Sequence, residues 1–443
     1  MNLRYSEVRW GARNRTGVSH PVFSFAFEEP KYEEFYTRFI MGNSPCILSC
    51  GMIDDWKASK SWVDSSGDPD LQDLGLEYGN LNVPVANCSE KYFDSQPKAE
   101  LKLKEYLQYM KQKDRQDTLY LKDWHFHAAQ RLQQPADPPV YRTPCLFASD
   151  WLNEFWEEQP ELRDDFRFVY VGVAGTWTPF HADVFRSFSW SANVCGRKRW
   201  ILLPPGEEEK LRSLSQLPFD VAGVLGAESP SAAVSSATLP AGVSVARLQP
   251  KTSPGGVRYF DVIQEAGEVM FVPSDWHHQV WNLRDTISIN HNWLNAANVG
   301  HASRHLLASL TAVKAELADI ADGSGAWLAQ CQQLLKATHG MDVREFVELL
   351  CFAADRRLDG ARGAAAVRGL DGWQHSRDHL RWDLARVRCV LRRLLALEDV
   401  TRAPDMDECL ARAQRVIADI EEVCPPEAGG APGPGQCDCG VCA

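Results

Sequence analysis

The chain has 443 residues, 44% hydrophobic and 24% charged, a composition that excludes a disordered or fibrous protein and leaves room for one large barrel with a helical appendage or for two domains. A formal net charge of −12 argues against sequence-independent, direct nucleic-acid binding, which needs a basic surface to displace counterions, and is compatible with a basic polypeptide target. The opening residues Met1-Asn-Leu-Arg-Tyr-Ser-Glu contain no signal-like apolar run and no later stretch approaches a membrane span, so the expectation is a cytoplasmic protein without membrane association.

Taken in chain order, a mixed α/β part comes first, over residues 1–119. An amphipathic stretch runs from Glu29 to Ile40, and Pro45-Cys-Ile-Leu-Ser reads as a buried strand. Val83-Pro-Val-Ala-Asn reads as another. Leu101, Leu103, Tyr106, Leu107 and Met110 carry helical spacing, and Asp117-Thr-Leu-Tyr120-Leu-Lys-Asp returns to strand character. Ser149-Asp-Trp-Leu-Asn-Glu-Phe-Trp starts like a capped helix, and Arg167-Phe-Val-Tyr-Val-Gly-Val is a strand. The cysteines number thirteen, but Cys46, Cys88, Cys145, Cys195 and Cys351 lie singly in apolar surroundings and read as reduced core thiols.

The stretch around which the chain is organised begins at Thr178-Pro-Phe-His181-Ala-Asp183 and reads as a strand running on to Val194. Residues two apart in a strand share a face, so His181 and Asp183 can point the same way. The alternation puts Ser187, Ser189, Ser191 and Asn193 on that face and Phe188, Trp190, Ala192 and Val194 on the other, with Phe185 the exception. A polar inward face suits a small barrel that holds a metal and a charged cofactor. The chain then turns at Cys195-Gly196 and returns as Lys198-Arg-Trp-Ile-Leu-Leu.

A short charged helix is expected from Glu207 to Leu214, then a flexible Ala/Ser/Pro/Gly/Val-rich insertion over about 221–256. Gly267-Glu-Val-Met-Phe-Val-Pro273 is a strand ending at proline, and Ser274-Asp-Trp-His277-His278-Gln-Val-Trp-Asn and Asp285-Thr-Ile-Ser-Ile-Asn-His-Asn292-Trp follow it. Leu306, Leu310, Val313 and Leu317, and again Leu380, Leu384, Val387, Leu391 and Leu394, mark amphipathic helices. Further helical pattern surrounds 343–354 and 406–423, so 301–424 reads as a helical region. The Gly/Pro-rich tail 425–443, with Cys437, Cys439 and Cys442, offers no core to brace a zinc knuckle and is expected to be disordered.

Two histidines and one carboxylate on one side of a metal leave half of an octahedral sphere open, as in non-haem Fe(II) oxygenases. His181 and Asp183 supply two such ligands; His277 and His278 compete for the third. Lys198 stands where the distal carboxylate of 2-oxoglutarate, the co-substrate of such an iron, needs a buried partner; otherwise Arg197-Lys198-Arg199 is a solvated hairpin tip.

Thr178-Pro-Phe-His181-Ala-Asp183, Gly196-Arg-Lys198-Arg-Trp-Ile-Leu-Leu-Pro-Pro, Phe271-Val-Pro273-Ser-Asp-Trp-His-His278-Gln-Val-Trp-Asn and Ile287-Ser-Ile-Asn-His-Asn292-Trp together resemble the jumonji C (JmjC) 2-oxoglutarate oxygenases. The resemblance implies a double-stranded β-helix (cupin-like jelly roll) over 120–300 with the helical region after it. It implies Fe(II), 2-oxoglutarate and dioxygen as cofactors, with His181, Asp183 and His278 as the catalytic metal ligands. His278 is preferred to His277 because the family ligand lies at its distance from Pro273 and Asn282. By position, Tyr120 and Thr178 would hydrogen-bond 2-oxoglutarate, Lys198 would pair its distal carboxylate, and Asn292 would sit near the iron end. Tyr120-Leu-Lys-Asp-Trp and Phe185-Arg-Ser-Phe-Ser-Trp-Ser resemble a subgroup associated with lysyl hydroxylation of the eukaryotic translation termination factor. A lysine demethylase and a non-catalytic interaction protein are the alternatives. Ser189 and Ser191 depart from relatives with an asparagine there, and the helices would serve a homodimer or buttress the barrel.

Overall fold

The structure is a computed structural model that describes residues 23–25, 31–133, 138–159, 165–213, 216–227, 250–322, 324–363, 367 and 369–425. The tail cysteines Cys437, Cys439 and Cys442, the opening residues 1–22 and the middle of the insertion, 228–249, lie outside the described residues.

In chain order the strands are β1 (Phe23–Phe25), β2 (Cys46–Leu48), β3 (Asn82–Asn87), β4 (Lys98–Lys102), β5 (Leu119–Trp124), β6 (Arg167–Gly172) and β7 (Trp177–His181). They continue as β8 (Phe188–Cys195), β9 (Lys198–Leu203), β10 (Lys251–Thr252), β11 (Arg258–Gln264), β12 (Val269–Val272), β13 (His277–Asn282) and β14 (Thr286–Trp293). They form two sheets. The larger has the order β1-β2-β12-β8-β14-β6-β5-β3-β4 and is antiparallel apart from β1–β2; the smaller has the order β10-β11-β9-β13-β7. This is a double-stranded β-helix, a cupin-like jelly roll, with helices gathered in the C-terminal region. The part before residue 119 contributes β1 to β4 to the larger sheet.

Alternation along each strand decides what the two sheets enclose. Trp200, Leu202, Met270, Val272 and Val280 form an apolar cluster between them, whereas β8 turns Ser189, Ser191 and Asn193 to the same side. The opposite face of β8, with Phe188, Trp190, Ala192 and Val194, joins one large core with Phe35, Tyr36, Phe271, Trp293, Leu384 and Val387. That core reaches from the N-terminal helices through the barrel to the C-terminal ones. Burying so much aromatic surface supplies most of the folding drive.

The C-terminal helices are Val299–Glu316, Gly325–His339, Val343–Ala361, Arg377–Leu395 and Asp407–Val423. Asp342 and Glu345 form a capping box, and Ser376 caps the helix after it. The stripe Leu380, Leu384, Val387, Leu391 and Leu394 is buried within the chain itself, where its helix packs chiefly on Val343–Ala361 and Asp407–Val423, so it is not free to meet a second copy. Arg357, fully buried, ties the helices to the barrel by donating to Asp383 at 2.7 Å and Glu154 at 3.1 Å. Among the described residues no helix is long and apolar enough to cross a membrane.

Five local readings differ. The run from Thr178 to Val194 is not one strand: β7 ends at His181, a turn follows, and Phe185 and Arg186 both take left-handed backbone, φ 54°. Leu101 belongs to β4, because Lys102 still pairs with Asn82; the helix starts at Leu103, where Glu105 accepts from the Lys102 N–H. Of the helix expected over 207–214, the described residues form only a 3-10 turn, Glu208–Leu211, because Arg212 already takes extended backbone, φ −68° and ψ 125°; residue 214 lies outside the described residues. The start of the supposed flexible insertion is built: Ala222–Leu225 is helical, and Val221, Ala222 and Leu225 pack on Ile201, Leu203 and Trp281. The helix Gly325–His339 escaped the sequence reading because only Cys331 and Leu335 on it are buried, too few to make a periodic stripe.

Candidate active site

One potential ligand atom each from His181, Asp183 and His278 lies within 4.8 Å of the others. The spacing comes from two neighbouring strands. His181 closes β7 and His278 is the second residue of β13, and the two are Cα partners across that ladder. The Nδ1–H of His181 donates to the Pro179 carbonyl at 2.7 Å, and that of His278 to the Trp276 carbonyl at 3.0 Å. Each ring is thereby oriented and left with Nε2 as its free donor atom. Asp183, carried just past the strand end, accepts the Ser189 hydroxyl at 2.7 Å. Surrounding protein and then the neighbouring His278 hold His181 down to about 4, so its imidazole is neutral at physiological pH, as a ligand must be. Two imidazoles with one carboxylate are a donor set for a divalent cation.

Farther into the barrel, Lys198 is buried and donates to the Ser288 hydroxyl at 2.5 Å. Burial lowers it to about 7, and no carboxylate of the described residues offsets its charge. Such a group is costly unless an anion joins it. The buried Thr178 hydroxyl, Ser191 hydroxyl, Asn193 Oδ1 and Asn290 Oδ1 have no protein partner, and Ser288 and Asn193 are partners across β14 and β8. Of these, the Thr178 and Ser191 hydroxyls can donate to a small anion held by Lys198, whereas the two amide oxygens can only accept. Tyr120 is buried, its phenol pushed well up by desolvation and so neutral. A Cβ on Gly172 would meet Asn282 Nδ2 and Thr176 Oγ1 at 2.5 Å and Tyr120 Cε2 at 2.6 Å, so glycine is what lets Tyr120 approach. Asn292 donates to the Ser187 hydroxyl at 3.1 Å and is the Cα partner of Ser189, beside the Asp183 end.

The sequence reading missed Tyr170, whose ring lies under the Lys198 ammonium at 5.9 Å and whose hydroxyl donates to Asp123 at 2.6 Å. Its position on the inward face of β6 was legible from alternation with Gly172. It also missed the wall facing the metal pair. A cleft of about 310 Å³ is lined by His181 and Asp183 on one side and by His305, His339 and Gly340 of the helical region on the other. No local pattern brings those residues together. His277 shares this cleft, with the Arg186 guanidinium donating to its Nε2 at 3.4 Å; burial and Arg186 push it down to about 3. It is not among the three grouped donors.

Residues 168–293 match the JmjC domain family, described as "JmjC domain, hydroxylase". The chain is 41% identical over 354 residues to a "2-oxoglutarate and iron-dependent oxygenase JMJD4" of Gallus gallus, covering 78% of this chain and 77% of that one. It is 40% identical over 378 residues to the protein of the same name from Homo sapiens, covering 84% of each. It is also similar to an "Arginine-specific demethylase JMJ20" of Arabidopsis thaliana, 37% identical over 338 residues, 72% of this chain and 67% of that one.

Proposed function

The chain belongs to the JmjC family of 2-oxoglutarate and iron-dependent oxygenases, and within that family we propose that it is a protein lysyl hydroxylase of the cytoplasm whose substrate is the translation termination factor. It is an oxygenase that uses Fe(II), 2-oxoglutarate and dioxygen. In this reading His181, Asp183 and His278 hold the iron, and Tyr120, Thr178, Lys198 and Asn292 receive 2-oxoglutarate. The observation that carries it is the grouping of the three ligand atoms within 4.8 Å at the mouth of the cleft.

Bound together, Fe(II) and 2-oxoglutarate activate dioxygen so that one oxygen atom enters a substrate C–H bond and the other leaves in succinate, with release of carbon dioxide. The protein's residues supply order and dryness. Pro179 and Trp276 carbonyls keep both imidazoles facing inward, and Ser189 keeps one Asp183 oxygen engaged so that the carboxylate cannot swing. Lys198 neutralises the distal carboxylate of the co-substrate, Thr178 and Tyr120 offer hydroxyl donors, and Phe166 and Phe185 shield the cleft from bulk water.

The termination-factor substrate draws its support from the motifs Tyr120-Leu-Lys-Asp-Trp and Phe185-Arg-Ser-Phe-Ser-Trp-Ser, which resemble that subgroup. A demethylase is the second reading, favoured by the similarity to the Arabidopsis protein. The test incubates the protein with Fe(II), 2-oxoglutarate and the termination factor and weighs the tryptic peptides. A lysine peptide heavier by one oxygen, formed in step with succinate, is expected; loss of a methyl group from a methylated peptide, with no oxygen gained, would replace hydroxylation by demethylation.

A further inference from the structure

Three non-glycine residues with left-handed backbone flank the metal-ligand side chains: Phe185 and Arg186 at φ 54°, just after Asp183, and Asp275 at φ 65°, just before His278. Such conformations cost of order 1–3 kcal/mol each and persist where surrounding contacts over-determine them. The contacts are on the page. Asp275 receives Arg186 at 3.3 Å on one carboxylate oxygen and His301 Nδ1 at 3.0 Å on the other. It therefore joins the Asp183 turn, the His278 turn and the first turn of the helix Val299–Glu316. The same His278 turn is pinned from the other side by Asn43, which exchanges hydrogen bonds with Ser274 and accepts from the Trp276 indole at 3.0 Å. Trp276 in turn presents the carbonyl that orients His278.

The Asp183 turn has a second strut. The Phe185 ring packs edge-on against Phe166, centroids 5.3 Å apart, and lies against Gly340, where a Cβ would come within 3.3 Å of Phe185 Cζ. Gly340 is the left-handed C-cap of the helix Gly325–His339, φ 82°. Two separate helices of the C-terminal region thus bear on the two turns that carry the ligands.

We propose that Asp275 and Phe185 are positioning residues through which the C-terminal helices set the spacing of Asp183 and His278, so that the helical region is part of the metal site. The proposal rests on the assignment of His181, Asp183 and His278 as metal ligands. Neither positioning residue is among the three grouped ligands. Each holds a backbone turn whose shift would open the triad.

The test is Co(II) titration of the full chain, read by the visible absorption of the bound metal. Asp275→Asn is chosen because asparagine tolerates left-handed backbone, so it removes the charge and one acceptor without new strain; His301→Ala removes the same link from the helix side. Both should weaken Co(II) binding about tenfold or more, the usual effect of losing a group that orients a metal site, and shift the visible band, with the thermal midpoint little changed. Leu310→Ala, in the same helix but within the core, should lower the midpoint and leave Co(II) affinity unchanged. If Asp275→Asn does not fold, His301→Ala decides. Wild-type affinity and spectrum in the linked variants, or an equal affinity loss in Leu310→Ala, would overturn the proposal. Asp183→Ala keeps the two claims apart: retained Co(II) binding there would sink the ligand assignment itself, while binding lost there but unchanged in the linked variants would sink only the role of the helices.

Discussion

His181 and His278 face each other across the β7–β13 ladder with ring centroids 4.5 Å apart, and each gives its Nδ1–H to the carbonyl two residues before it. The two imidazoles are mirror solutions to one problem, presenting Nε2 without freedom to rotate. His277, one residue away, points into the cleft beside Arg186 instead. Asp183→Ala and His278→Ala should therefore abolish both metal binding and succinate formation, whereas His277→Ala should keep the metal and lose far less activity. Parallel Co(II) titration and turnover assays check this, and an inactive His277→Ala with an active His278→Ala would reverse the assignment.

Lys198→Ala should raise the 2-oxoglutarate KM by about ten- to a hundredfold, since a charge-assisted hydrogen bond is worth roughly 1.5–3 kcal/mol, with little change in metal affinity. The pH dependence carries a sign. Burial holds this ammonium down to about 7, and a carboxylate needs it protonated, so affinity should fall as pH rises through 7, approaching about tenfold per pH unit. Folding stability runs the other way. Between about pH 7 and 10 the unfolded chain carries this proton and the ligand-free folded chain does not, so the group's contribution rises with pH. Binding of 2-oxoglutarate measured across this range should lose its slope in Lys198→Ala.

Gly172→Ala would drive a methyl group into Asn282, Thr176 and the Tyr120 ring. The ring is expected to swing away from the co-substrate end, raising the 2-oxoglutarate KM several-fold more than the Co(II) dissociation constant, with a stability loss of about 1–3 kcal/mol from overpacking. Steady-state kinetics beside urea unfolding would separate the two effects; an unchanged KM would place Tyr120 outside the co-substrate pocket.

Arg357→Ala would remove the buried cation that Glu154 and Asp383 share, leaving Glu154 to the partly exposed Arg356 at 3.6 Å and Asp383 to His379 at 3.4 Å. Removing one partner from a buried ion pair costs about 3–5 kcal/mol, and here the loss falls between the helices and the barrel. Urea denaturation should show it, and Arg357→Met, which fills the space without restoring the charge, should recover little.

How much was legible depends on how far each signal reaches along the chain. Strands β2, β3, β5, β6, β9, β12, β13 and β14 and the four long apolar-striped helices were readable, because period-two and helical alternation are local consequences of burying one face. The three polar side chains of the β8 face, Ser189, Ser191 and Asn193, were readable for the same reason, and His181, Asp183, Lys198 and His278 stood out because their chemistry is rare in an inward face. The chain's own residue order could not say that the strand after His181 breaks, since Phe185 and Arg186 adopt left-handed backbone only under the load of Gly340 and Asp275. Nor could it bring Tyr170 beneath Lys198 or set His305 and His339 opposite the metal pair. Those relationships join residues far apart in sequence through packing, and packing is decided only when the helices close on the barrel and one core is buried at once.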